Sequence, residues 1–389
     1  MSVNYQTIVV GLGAMGSSSV YQLALRGIKT LGIDQFSPPH TLGSTHGDTR
    51  ITRKGIGEGV QYTPLSLRSY QIIEAIEKDT KADLLQITGG LIICSAPDSL
   101  ARHTQAFFQN TVDAAKKYNI KHDILSAQDV QKKFPQFNIS NDEVGYYEYD
   151  AGIMRPERIV ERQLALARNL GADIHTNEKL IDFSETAGGV TVKTDKNTYQ
   201  CQNLVLSVGP WLVKTVSEKT FDAIFKIYRQ VLYWFDVSAA YQDFSPPAFP
   251  IFIWELKSDQ NGMYGFPAVD GPDGGFKIAF EQYDKTCDPD KVNREVSKDE
   301  IESMFKNYVA SNFPKANSTC VKSATCLYTV TPDGAFVIDW MPGSKRVVLC
   351  SPCSGHGFKH SPAIGECIAD LVTTGESRID LSSFKLDRF

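Results

Sequence analysis

Residues 6–16 read Gln-Thr-Ile-Val-Val-Gly-Leu-Gly-Ala-Met-Gly, and Thr30-Leu-Gly-Ile-Asp34 follows after one helix-length segment. The β-branched run before the first glycine suits a strand buried on both faces. Gly11, Gly13 and Gly16 then form a tight turn into a helix over 15–26, where Val20, Leu23 and Ala24 share a face and Gly27 is a good stop. Asp34 ends the next strand 18 residues after Gly16, as a carboxylate gripping ribose hydroxyls requires. Glycines let the backbone approach a pyrophosphate, whose charge faces the N–H groups of the helix start. An acid at 34 favours FAD or NAD over a ribose-phosphorylated cofactor.

Farther along, 178–208 reads as short strands (179–183, 190–194, 199–201, 204–208) with a turn at Gly188-Gly189. Longer alternating segments at 225–236, 251–255, 263–266 and 276–280, split by Pro and Gly clusters, read as an antiparallel sheet. Residues 284–310 read as mostly helical and charged. Residues 346–389 return to strand, glycine loop and helix, with Ser361 as N-cap and Pro362 as first residue of a helix over 362–373. The expected fold is mixed α/β: a Rossmann-type FAD-binding domain (1–85, 140–215 and 325–389) with an inserted antiparallel-sheet substrate domain (86–139 and 216–324).

Over 389 residues, 42% hydrophobic and 22% charged, the chain can bury a large core, and its net charge of −5 shows no basic stripe for nucleic acid. The longest early apolar stretch is too short for a bilayer and lacks the flanks of a secretory signal, so a cytoplasmic, non-membrane protein is expected. Eight scattered cysteines argue against a disulfide framework. Cys350-Ser-Pro-Cys353 lacks a second pair or a histidine cluster, so no metal site is expected.

Three further segments choose among flavin and nicotinamide enzymes. They are Pro38-Pro-His40 with Gly43-Ser44 and His46-Gly-Asp-Thr-Arg50-Ile-Thr-Arg53 through Gly57-Glu58-Gly59; Cys326-Leu-Tyr-Thr329 with Phe336-Val-Ile-Asp339; and Ser354-Gly-His-Gly-Phe-Lys359. With Tyr228-Arg-Gln230 and Tyr264-Gly-Phe-Pro267, they resemble in order the monomeric sarcosine oxidase and N-methyltryptophan oxidase family of FAD-dependent amine oxidases.

That resemblance implies FAD bound covalently through Cys326, with Gly11, Gly13, Met15, Gly16, Asp34, Ser44, His46, Thr49, Arg50, Gly355, Gly357 and Lys359 around the cofactor. It implies a substrate carboxylate clamped by Arg53 and Lys359, an oxygen-activating Lys277, and Arg50, Tyr264 and His356 at the reacting centre. The helix after Ser361 would turn its positive end toward the flavin. The substrate would be a small secondary amine with a carboxylate, oxidised at its C–N bond to an imine, with O2 reduced to H2O2 and formaldehyde released from an N-methyl group. A monomer is expected. An FAD-dependent amino-acid or imino-acid dehydrogenase passing electrons to a carrier is the alternative, for which Lys277 would be unnecessary; a non-enzymatic flavoprotein is the third reading.

The sequence departs from the family pattern at Glu281, where relatives carry histidine, and at Lys54-Gly-Ile56, where they commonly carry His-Ala-Tyr. The longer loop 270–275 and Trp254, expected near the pocket, add to the difference. A bulkier or cationic secondary amine is therefore expected in place of sarcosine.

Overall fold

In the computed structural model, residues 5–95, 107–216, 219–256 and 262–389 are described. Parts of the expected substrate domain, 96–106 and 257–261, lie outside them.

The opening strand, Tyr5–Val10, lies in the middle of an eight-stranded sheet and is buried on both faces over its last four residues. Thr30–Ile33 pairs parallel on one side and Thr198–Leu206 on the other. Asp173–His175 and Val347–Ser351 extend the parallel array. Helices Ala14–Leu25, Pro156–Asn169 and Ser361–Thr374 share one apolar core through Val20, Leu23, Val160, Leu164, Ile364 and Ile368. The first and last of these nearly touch: a Cβ at Gly365 would lie 2.3 Å from Ser18 Oγ.

A second eight-stranded sheet runs in the order Cys320–Val330, Lys226–Phe235, Phe276–Phe280, Met263–Phe266, Ile251–Glu255, Gly90–Ser95, Glu143–Glu148, His122–Ser126. It is antiparallel except for Ile251–Glu255 against Gly90–Ser95, which is parallel and corrects the purely antiparallel expectation. Strand period two sorts its residues. One face packs Phe252, Trp254, Phe276 and Ile278 against Phe137, Phe249 and Phe313. The opposite face carries Lys277 and Ala279 beside Phe266 and Tyr264, with Ile253, Cys326 and Tyr328 in the same surface. A small three-stranded sheet, Arg50–Thr52, Gly152–Met154 and Leu85–Ile87, stands beside them and sets Arg50 and Arg53.

Three local expectations are corrected. Within 284–310 only Lys298–Met304 and the π-turn Phe305–Val309 are helical. Pro289 interrupts the charged run before them, and Arg229 holds that run irregular through the carbonyls of Asn293 and Glu295. Residues 199–208 form one strand, Thr198–Leu206, in place of two. Ser361 is not an N-cap: the 3-10 turn Phe358–His360 runs straight into the helix, and the Ser361 N–H already bonds Phe358 O.

Candidate active site

The glycine turn shows which of its residues the chain itself requires. Gly11 has φ +87°, and a Cβ there would lie 2.5 Å from Ser207 O. A Cβ at Gly16 would lie 1.7 Å from Gly11 O, so this position is fixed by helix–strand packing. Gly13 differs, because its Cβ would meet only Thr45 Oγ1 at an ordinary 3.5 Å. Its missing side chain leaves open the cavity it faces. The helix above begins at Ala14 with no side-chain cap and no acidic residue in its first turn, which suits an anion.

Asp34 is buried at the end of its strand and lines the same cavity. Its oxygens accept from Leu12 N and Phe36 N, each at 2.7 Å. Burial raises the carboxyl above its ordinary range, while those two amides pull it back.

From Gly13, Met15 and Asp34 the cavity, about 490 Å³, continues past Ser44, Arg50 and Gly357 to a pocket walled by Arg53, Glu58, Phe107, Ile253, Tyr264, Glu281, Tyr328, Gly355, His356 and Lys359. Its volume is within the roughly 300–1,000 Å³ of ligand sites. A cradle emptied of side chains at Gly13, an uncapped helix start and a strand-end carboxylate in one continuous cavity fit FAD.

At the far end, two cations from distant segments converge on one carboxylate. Arg53, 2% exposed, donates through Nη2 to Glu58 Oε2 at 2.5 Å and through Nη1 to Gly55 O. Lys359 Nζ lies 3.5 Å from Glu58 Oε1 and donates to His356 O at 2.8 Å. Burial pushes the Lys359 ammonium down to about 8, with Glu58 opposing. His356 Nδ1 lies 3.8 Å from the same carboxylate, and its Nε2 faces Gly334 O at 3.1 Å. Behind the loop, buried Glu148 accepts from Lys54 N, Gly55 N and Tyr146 OH, which fixes the turn after Arg53.

The sheet supplies the wall. The Tyr264 and Tyr328 hydroxyls meet at 3.1 Å, and Tyr283 OH donates to Glu281 Oε2 at 2.8 Å. Trp254 is not in this wall: its ring lies in the opposite-face core and its Nε1 donates to Glu143 at 2.6 Å.

Lys277, 2% exposed, does not border the open cavity. Its ammonium lies 4.4 Å from the Phe266 ring centre and donates to Gly47 O at 2.7 Å, Thr49 O at 2.8 Å and Thr49 Oγ1 at 3.2 Å. Burial, then Arg50, holds its proton affinity well below the ordinary lysine value; Asp48, Cys326 and Glu157 oppose. His46 is buried in the same loop and pushed down to about 3 by burial and by the cations Arg50 and Lys277.

Cys326 is likewise buried behind the cavity wall, and burial raises its thiol while Arg50 and Lys277 favour the thiolate. Arg50 does border the cavity and is held by the carbonyls of Ser44 and Thr49. Ser44 Oγ donates to Leu327 O at 2.5 Å, fastening this loop to the cysteine strand.

The sequence reading gives no role to Glu58, Tyr328 or Glu157. Tyr328 was legible in outline, since it sits two residues from Cys326 on the same strand face. Nothing in the sequence shows that Glu58 meets Lys359, about 300 residues away.

A family model described as FAD dependent oxidoreductase matches residues 6–371. The monomeric sarcosine oxidase of Streptomyces avermitilis is 38% identical over 387 residues, covering 99% of this chain and 97% of that protein. The N-methyl-L-tryptophan oxidase of Salmonella enteritidis is 29% identical, with full coverage of both. Among solved structures, NikD, an unusual amino acid oxidase, superposes with a TM-score of 0.82 at 21% identity, covering 99% of this chain and 98% of that one. The chain belongs to the family of FAD-dependent oxidoreductases and is an enzyme of that family.

Proposed function

We propose that this enzyme oxidises the C–N bond of a small secondary amino acid to an imine, with O2 reduced to H2O2, and with formaldehyde following by hydrolysis when the oxidised carbon is an N-methyl group. One observation carries the reading: Arg53 and Lys359 converge on a single carboxylate inside the cavity that begins at Gly13. Glu58 marks where a substrate carboxylate would bind, because the planar guanidinium and the ammonium satisfy the same chemical group in either case.

Bound FAD would supply the acceptor for the hydride equivalent leaving the amine and pass both electrons to O2. The Gly11–Gly16 turn and Asp34 would hold its dinucleotide part, Ser44, Thr49, Arg50, Gly355 and Gly357 its ring system, and Cys326 a covalent link. Arg53 and Lys359 fix the substrate by its carboxylate, so that the amine lies toward Tyr264 and Tyr328 and reacts as an oriented, effectively unimolecular complex. His356 holds the Gly355–Lys359 loop. Lys277 offers a fixed positive charge where oxygen gains negative charge.

Glu281 gives the wall a carboxylate whose Oε2 is pinned by Tyr283, which favours a bulkier or cationic amine. Fastest turnover with sarcosine, unchanged in Glu281→His, would contradict this preference.

The test is an anaerobic screen for flavin bleaching over N-methyl amino acids, cyclic imino acids and their cationic analogues, followed by peroxide yield in air. Bleaching with stoichiometric peroxide is expected. Bleaching with an artificial acceptor but little peroxide would assign a dehydrogenase, and no bleaching with any amine would reject the amine reading.

A further inference from the structure

The loop Gly47–Thr49 is fastened from both of its polar sides. Its carbonyls, Gly47 O and Thr49 O, with Thr49 Oγ1, take the N–H groups of Lys277. Its amides face the other way: Gly47 N and Asp48 N both donate to Glu157 Oε1, at 2.5 and 3.1 Å. Glu157 stands in the first turn of helix Pro156–Asn169, directly after the proline. One internal bond, Thr49 N to Gly47 O at 2.7 Å, closes the turn. Gly47 has φ +99° and Asp48, a residue with a Cβ, has φ +66°, so two successive residues are left-handed. A lysine side chain has four rotatable bonds, and a buried ammonium goes wherever its acceptors are. Two of the three acceptors are backbone carbonyls, and Gly47 O shares one planar peptide with the Asp48 N–H that Glu157 holds from behind.

We propose that Glu157 is a positioning residue for oxygen chemistry: by holding the amides of Gly47 and Asp48, it fixes the carbonyls that place the Lys277 ammonium. This rests on the oxygen role given to Lys277 above. Two further contacts fit this role. Lys322 Nζ pairs with Asp48 at 2.5 Å and lies over the Trp234 ring, while Lys277 lies against the same indole, so the loop is also held at its side chain. A Cβ at Gly47 would lie 2.6 Å from Leu232 Cδ1, so the loop is seated closely on the sheet at this residue.

The test compares holoenzymes carrying Glu157→Gln, Glu157→Ala and Lys277→Met. Glutamine keeps an acceptor oxygen for both amides; alanine removes it. Amide hydrogen exchange of the peptide covering 46–50 is read alongside the separate rates of anaerobic reduction by amine and reoxidation by O2. The expected result is faster exchange and a reoxidation constant lowered about 10- to 100-fold relative to reduction in Glu157→Ala. Glu157→Gln should restore both to within about threefold, since a one-for-one acceptor replacement keeps the hydrogen bonds. If Glu157→Ala does not fold, Glu157→Asp, too short to reach both amides, replaces it. Reoxidation unchanged in the Glu157 variant, while Lys277→Met lowers it, overturns the positioning role alone. Reoxidation unchanged in Lys277→Met overturns the oxygen role and the proposal with it.

Discussion

Arg53 Nη2 and Glu58 Oε2 are 2.5 Å apart inside the cavity, so the guanidinium proposed to bind substrate is already paired with a carboxylate of its own chain. Any substrate carboxylate must displace or share that partner. Affinity at this site is therefore a difference between two similar interactions.

Replacing Glu58 by glutamine should make simple carboxylates such as propionate bind about tenfold more tightly, close to 1.4 kcal/mol. The same change should lower the melting temperature, since breaking a buried ion pair costs about 3–5 kcal/mol. Titration by flavin absorbance and thermal unfolding read the two effects. Tighter binding absent, with stability lost, would mean that Glu58 supports the clamp and does not compete for it.

Lys359 gives this site a pH limit. Its ammonium is depressed to about 8, so the clamp carries both positive charges below that pH and only that of Arg53 above it. The dissociation constant of a carboxylate lacking an amine should therefore rise as pH passes through about 8 toward 10. An amine-free probe is needed because an amino-acid substrate titrates in the same range. In Lys359→Met the rise should disappear; its persistence would assign the transition to another group.

The glycine turn separates fold from cofactor. Gly16→Ala should sharply reduce the yield of folded protein, because its Cβ would overlap Gly11 O. Gly13→Leu should give folded protein with little flavin, because the added side chain meets no backbone and enters the cavity. Circular dichroism and the flavin-to-protein absorbance ratio measure the two outcomes.

Much of this was legible from residue order. The strand–glycine–helix start and Asp34 follow from local pattern, whereas cross-strand register is what brings Lys277, Tyr264 and Cys326 to one sheet face. Trp254 was misplaced because alternation gives two faces without saying which one meets the cavity, and neighbouring Phe137 and Phe313 decide that from elsewhere in the chain. The expected mostly helical segment 284–310 is helical only from Lys298 on, because the contacts from Arg229 and from Arg294 to Leu42 O that hold the earlier residues open are tertiary. Glu58 and Glu157 act through partners far away in sequence, and no local signal carries such pairings.

Cys326→Ser should leave the fold intact, since the cysteine is one small buried residue in the strand Cys320–Val330. It should change where the yellow colour goes after acid precipitation: with the pellet for the unaltered enzyme, into the supernatant for the variant. Colour in the supernatant from both would remove the covalent link and leave the amine reading in place.

The strand Phe276–Phe280 sends Phe276 and Ile278 into the aromatic core while Lys277 and Ala279 face the opposite side. Site and core are therefore the odd and even members of one short string. Evolution can exchange a functional residue here without disturbing the packing, provided it substitutes and does not insert. A one-residue insertion before Lys277 would invert that parity, facing an ammonium toward the phenylalanines and a phenyl ring toward the cofactor cavity. Divergence within such a strand is confined to point changes at alternate positions.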